Sequence, residues 1–425
     1  MSSSREILDQ LASFAHRTTI ERNRLQGLEF VAGRRGHAML YDLAGTRALI
    51  DCTCGGGVHN LGHSNPEVVA ALKQALDAGL DGGIWFLPNK SALDVASLFD
   101  SAMPVGLPNR AVITHSSTAS IDLAIMMAMR ATGRQRILAC KNAYHGHTGF
   151  AAIVSDSSEE GVAGHYNLPR EMARFFQFGD ANDLANHLDQ SIAAVILEPM
   201  CYETFEPAAP AFMTALYRLC RERGTLVILD ETRTGLGRTG SLWAAEAYSA
   251  APDLMIVGKG LSGGIYPVSA CLMTQELYHA CINSHAYGYA SSLGGNELAC
   301  TVAARVLEIS SRPTLLADVR LRSEQAREAI GALSRRYQGV VMGGQAHGLA
   351  IGIRVVSDAF AASLYRTCIE AGLLCHSVSH ARGAMIKLMP PLIVDEETLA
   401  EIFDRLDAAI VQVLTREAPG APHLT

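Results

Sequence analysis

The segment PDLMIVGKGLSGGIYPVS, residues 252–269, sets one lysine, Lys259, between Gly258 and Gly260 where an apolar, strand-like run stops. A lysine that condenses with an aldehyde to a Schiff base needs its partner to come close, and glycine neighbours let the backbone approach a bulky ring. A solvated lysine in a strand-end turn fits the same residues. Upstream, TLVILDETRTGLGRTG puts Asp230 at the end of a second apolar run. A carboxylate in that place faces the crevice where open α/β sheets bind ligands, and it can keep a cofactor's ring nitrogen protonated. As an acid capping the following turn it would need no ligand. In THSSTASIDLAIMMAM a third run passes through Ser116, Ser117 and Thr118 into an apolar helix. The free N–H groups and dipole of such a helix start suit a phosphate, and ordinary N-capping draws on the same residue types.

These residues need a scaffold of buried strands. Short runs such as AVITH, RILAC, IAAVILEP, TLVILD, LMIVGK and VSACLMT alternate with helical stretches such as FMTALYRLCRERG. Strands apolar on both sides need covering twice, so the order predicts an α/β fold with a mainly parallel sheet between helices. Helical period also dominates residues 1–30 and 64–79, and from about residue 320 a long polar helix leads into a smaller α+β region. The expected division is 1–80 as an N-terminal segment belonging to the small domain, 81–320 as the large domain and 321–425 as the C-terminal part of the small domain.

Composition narrows the function. The chain has 425 residues, 49% hydrophobic and 18% charged, with a formal net charge of -7. A core of good size is affordable, and no basic surface recommends nucleic acid or an acidic membrane as a partner. Small-molecule substrates are the expectation. The ten cysteines are scattered, without the spacing of a zinc site, and read as reduced and mostly buried. The first residues, MSSSREILDQLASFAH, lack a basic segment followed by an apolar run, and no apolar stretch approaches a membrane span, so a cytoplasmic location is expected.

The three strand-end elements together ask for a ligand with an aldehyde, a basic ring nitrogen and a phosphate. Pyridoxal 5'-phosphate (PLP) has all three. The sequence also resembles the class III aminotransferases of PLP fold type I over almost its whole length. The family's acidic motif, roughly DExxTGxGRTG, is matched from Asp230 to Gly240, and its lysine motif, roughly GKGLxGGxYPxS, from Gly258 to Ser269. AYHGHTG is similar to the segment whose aromatic residue stacks on the cofactor ring, which points to Tyr144, with Gly146 beside it. His145 and His147 in that segment are weak evidence for a metal, and none is expected. VILEP resembles the family's strand-end glutamate, which puts Glu198 near the substrate side. SSLGGNELA resembles the segment whose hydroxyl reaches the phosphate of the neighbouring subunit's cofactor. Ser292 takes that place, and the resemblance thereby implies a homodimer with shared active sites. Ser117 and Thr118 become the phosphate ligands, and NLGHSNPEV and MPPLIVDEETL match the family at both ends.

Four departures from the family bear on the substrate. Many members that use α-amino acids carry an arginine three residues before the PPL proline pair, where its planar fork grips a carboxylate; here Lys387 stands there. Gln345 occupies a place that is often basic. Arg233 stands where the family has glutamine beside the ring's phenolic oxygen, and a fixed cation there favours the phenolate and disfavours a protonated imine. Tyr202 and Glu203 replace a glycine-rich loop and suit a cationic substrate. Trp85 and Phe86 fall in a segment that lines the entrance in related enzymes, where an aromatic ring stacks on a sugar or alkyl chain or simply packs in the core.

The expected activity is a PLP-dependent transamination by a ping-pong scheme. Lys259 acts as nucleophile and base, Asp230 holds the ring nitrogen protonated and Tyr144 fixes the ring plane. The donor is a primary amine lacking an α-carboxylate, such as a diamine or an amino sugar, and the acceptor an oxo compound. An epimerase or aminomutase would use the same residues, and an amino acid aminotransferase using 2-oxoglutarate or pyruvate is a further alternative. A PLP-sensing transcription regulator would need a DNA-binding domain that the stretch before residue 30 has no room for.

Overall fold

The computed structural model describes residues 4–83, 87–156, 161–284, 288–380 and 383–417. Trp85 and Phe86 lie outside the described residues. The chain forms two compact units, a smaller one of Met1–Gly56, Asn60–Asn65 and Asp318–Thr425 and a larger one of Gly57–His59 and Pro66–Ala317.

The larger unit is built on a seven-stranded sheet. Its strands are β1 (Arg110–Thr114), β2 (Arg136–Cys140), β3 (Ala173–Phe176), β4 (Ile192–Leu197), β5 (Leu226–Asp230), β6 (Leu254–Val257) and β7 (Ser269–Met273), in the spatial order β1-β7-β6-β5-β4-β2-β3. Strand β7 runs antiparallel to both of its neighbours, and the other pairings are parallel. Every residue of β4, β6 and β7 is buried. Two-sided burial explains their unbroken apolar runs, and each Val, Leu or Ile buried there contributes about 1.5–3 kcal/mol.

The helix Ser117–Thr132 starts and stops on local signals. Ser116 is its N-cap and accepts from the Ala119 N–H, while Gly133 ends it at φ 68°, a left-handed conformation that costs glycine little. Ile121, Ala124, Ile125 and Ala128 on this helix join Ile137, Ala139, Ile196, Ile228, Ile256 and Cys271 from the sheet in one core cluster. That packing fixes the helix start beside the carboxyl end of β1.

Register carries function here. Asp230 of β5 is aligned with Ile256 of β6, and the Glu231 N–H donates to the Ile256 carbonyl at 2.9 Å. Because side chains alternate faces along a strand, a slip of one residue would exchange Asp230 and Glu231.

The smaller unit holds two four-stranded sheets. In one, Ala32–Gly36, Met39–Asp42 and Ala48–Asp51 form a meander, with Leu373–Leu374 added parallel to the third strand. The other is antiparallel in the order Val341–His347, Ala350–Val355, Gly383–Leu388, His376–His380. Helices Asp358–Glu370 and Glu396–Glu417 complete an α+β arrangement. No helix among the described residues is long and apolar enough to cross a membrane.

Candidate active site

Five strands of the large sheet deliver their carboxyl ends to one place. Asp230 ends β5, Lys259 stands just past β6, Glu198 follows β4, Tyr144 follows β2, and Ser117 and Thr118 follow β1. This is where open α/β sheets place their ligands.

Asp230 is buried, 1% exposed, and both of its oxygens are satisfied. Oδ2 lies 2.7 Å from His145 Nδ1, and Oδ1 accepts from the Thr232 N–H at 3.0 Å. Burial alone would raise its pKa; the hydrogen bond and charge of His145, the charge of Lys259 and the bond from Thr232 outweigh it, so the carboxyl stays below its ordinary value. His145 is itself held by Ser155. The Ser155 hydroxyl accepts from the His145 and Gly146 N–H groups at 2.8 and 3.2 Å. Neither His145 nor Ser155 follows from the sequence reasoning, which weighs His145 only as a metal ligand. The available signal was the need for something to orient a buried acid.

Lys259 occupies a left-handed backbone conformation, φ 44°, which is uncommon outside glycine and marks strain held by its surroundings. Burial is the main cause of an amine pKa below its ordinary value; Arg233 lowers it further, while Asp230 and Glu198 raise it. Its Nζ lies 5.8 Å from the centre of the Tyr144 ring. Gly258 has a steric reason: a Cβ there would stand 2.0 Å from Ser117 Oγ and 2.8 Å from Ser269 Oγ. Gly146, at φ 148°, likewise leaves space that a Cβ would lose against Thr118 Oγ1 at 2.7 Å. The two hydroxyls therefore sit where backbone alone lines the wall.

A second buried pair faces this one. Arg233 donates from Nε to Glu198 Oε1 at 2.8 Å, and its Nη2 bonds the same oxygen. Its guanidinium carbon lies 4.2 Å from the centre of the Tyr202 ring, and Tyr202 in turn stacks 6.0 Å from Tyr144. The Arg233 charge is thus offset by Glu198, which tempers the effect expected of an isolated cation. Glu203 accepts from Asn142 Nδ2 at 3.1 Å, and that bond ties its loop to the turn after β2.

Glu231 points the other way. It accepts from Thr234 Oγ1 at 2.6 Å and from the Ala245 N–H at 2.7 Å, and burial pushes its carboxyl up to about 7. Ser292 is exposed in the loop before the helix Glu297–Ser310. Lys387 is buried, 3% exposed, on the strand Gly383–Leu388 of the smaller unit, and Gln345 is part-buried on Val341–His347. No group of His, Cys, Asp and Glu side chains suited to a metal occurs among the described residues.

The sequence profile described as Aminotransferase class-III matches residues 20–410. The chain belongs to the class III aminotransferases. An uncharacterized aminotransferase of Archaeoglobus fulgidus is 38% identical over 389 residues, spanning 90% of this chain and 89% of that protein. The acetylornithine aminotransferase of Rhodobacter capsulatus is 29% identical over 92% of this chain and 97% of its own length. Among solved structures, an ornithine aminotransferase from Toxoplasma gondii ME49 has a TM-score of 0.84 at 22% identity, covering 97% of this chain and 96% of that one. That likeness establishes the fold, PLP fold type I.

PLP is the cofactor of class III aminotransferases, and this chain's residues fit it. A primary amine, an ionised buried carboxylate and two hydroxyls at a helix start are the donor set that an aldehyde, a pyridine nitrogen and a phosphate require. The spaces that a Cβ at Gly146 or Gly258 would take are the further sign of a wall shaped for close approach.

Proposed function

We propose that this class III aminotransferase moves an amino group from a primary amine without an α-carboxylate to an oxo acceptor in two half-reactions. The observation that carries the reading is the buried Asp230–His145 pair beside the amine of Lys259 at the ends of adjacent strands. Bound PLP would supply an electron-withdrawing ring able to take up the electron pair released at the substrate carbon.

The residues divide the remaining work. Ser117, Thr118 and the helix start behind Ser116 bind the phosphate, and Tyr144 orients the ring plane. Asp230 keeps a proton on the ring nitrogen, because a carboxylate with a depressed pKa stays ionised at neutral pH. The lowered pKa of Lys259 leaves more of its amine neutral, so Nζ can take the proton from the amine-bearing carbon and return it. Glu198 and Arg233 border the substrate side.

The donor class rests on the engagement of Arg233 by Glu198 and on the residue at position 387. The Nε–Nη2 edge of Arg233 is already on Glu198, and Lys387 stands where α-amino acid enzymes of the family carry arginine. Relatives are named for acetylornithine and ornithine, whose side-chain amine lies remote from the α-carbon, although both molecules also carry an α-carboxylate. Ser292 would complete the site of a second copy of this chain, making a homodimer, and the protein would work in the cytoplasm.

The test is the visible spectrum of the PLP-loaded protein during single turnover with 1,4-diaminobutane, an aminoglycoside and alanine in separate reactions. Conversion to the amine form of the cofactor with the diamine or aminoglycoside, reversed by pyruvate or 2-oxoglutarate, supports the reading. Conversion with alanine alone would overturn the donor class, and racemised or isomerised amine without conversion would overturn transamination.

A further inference from the structure

We propose that Glu198 selects the substrate, and that the group it selects is a hydrogen-bond donor at the far end of the amine, an ammonium or a hydroxyl. This deepens the donor class proposed above and rests on it. Glu198 is 3% exposed, the first residue beyond β4. Its Oε1 takes both bonds from Arg233, while Oε2 is buried with no hydrogen-bond partner among the described residues. Buried carboxylate oxygens are nearly always paired, so one left bare beside a reactive amine marks where a ligand's donor belongs.

The surroundings say which kind of ligand. The charged neighbours acting on Lys259 are Asp230, Arg233 and Glu198. Of these only Arg233 is a cation, and Glu198 holds its edge while Tyr202 covers its face. An incoming carboxylate would meet the bare oxygen with like charge and find the guanidinium edge taken. An incoming N–H or O–H would complete the carboxylate instead. Glu198 also borders a small recess with Cys140, Phe178, Met200, Cys201 and Tyr202. Lys141, also on the lining, is exposed, and solvent screens its charge.

The experiment compares four amines of one chain length with the PLP-loaded wild type: pentylamine, 5-amino-1-pentanol, 1,5-diaminopentane and 5-aminopentanoate. Apparent dissociation constants come from the concentration dependence of the single-turnover spectral change. Protection of the protein against thermal unfolding by each amine gives a second readout that does not depend on turnover. The amino alcohol and diamine are expected to bind about tenfold or more tighter than pentylamine, with 5-aminopentanoate weakest, since a site built for a hydrogen bond rejects ligands that lack it. In Glu198→Gln the preference for the charged diamine should collapse, with the loss falling on affinity more than on the saturating rate. Pentylamine binding as tightly as the other two, or 5-aminopentanoate binding tightest, would overturn the role of Glu198 and leave amine transfer standing. No spectral change with any of the four would instead overturn the donor class and this inference together.

Discussion

Two buried acids stand at the ends of neighbouring strands, and they are finished differently. Asp230, at the end of β5, has a partner on each oxygen, His145 on one and Thr232 on the other. Glu198, just beyond β4, has both bonds from Arg233 on a single oxygen and none on its second. A satisfied carboxylate is a fixed electrostatic element, and a half-satisfied one retains capacity for a ligand. On the proposals above, the contrast would separate the part of the site that performs chemistry on any amine from the part that chooses among amines.

The sharpest way to break that division is on the chemical side. Lys259→Ala should lower the single-turnover rate with every donor by at least about 10³-fold, because nucleophile and base are lost together. A donor-dependent loss would place Lys259 in selection as well. Asp230→Asn should follow with a loss of roughly 10²-fold or more across the same donors, since an amide cannot hold the ring nitrogen's proton as an anion does.

A third test contrasts Asp230 with its neighbour in sequence. Glu231 carries a carboxyl raised from 4.5 to about 7, so the native state binds more protons than the unfolded chain between those values. Its contribution to stability is fully present below about pH 4.5 and is lost as the pH rises towards about 7, amounting to roughly 3 kcal/mol. Glu231→Gln should flatten that fall in urea midpoints measured from pH 4.5 to 8. Asp230 has the opposite sign. Its depressed pKa gives stability that is present above the ordinary carboxylate value and lost as the pH falls through its native one. His145→Ala should weaken this acid-side protection and cost about ten- to a hundredfold in rate, the usual worth of a charge-assisted hydrogen bond. Its rate profile should also move its acid limb to higher pH, which a purely structural role would not do.

The same contrast explains what the sequence made legible. Lys259, Asp230 and Ser116–Thr118 stand out because each interrupts an apolar strand pattern at its end, and β2, β4, β5, β6 and β7 are recognisable as strands because they are buried on both faces. Strand β3 is short, lies at the sheet edge and is only half buried, so its ARFF carries no comparable pattern. The antiparallel direction of β7 is invisible to hydrophobic period. His145 and Ser155 were hidden for another reason. Their roles come from a turn folded back by 2.8 and 3.2 Å bonds to one hydroxyl, and a pair ten residues apart has no periodic signature. The Arg233–Glu198 pair joins residues just beyond the ends of two different strands, and only the adjacency of β4 and β5 reveals it.

The smallest effects come from that pair and test whether Arg233 acts as a lone cation or as half of a neutral unit. The readout is the pH dependence of acylation at Lys259 in the cofactor-free protein, followed by mass spectrometry. Arg233 lowers the pKa of that amine and Glu198 raises it. In Glu198→Gln the guanidinium cannot shed its charge, so an uncompensated cation remains and the midpoint should fall. In Arg233→Gln the cation that lowers the Lys259 pKa is gone, and the midpoint should rise. Equal and opposite shifts would mean that the two groups act on Lys259 independently. A larger shift from Arg233→Gln would restore the isolated cation, and the division between the two carboxylates would then lose its electrostatic basis.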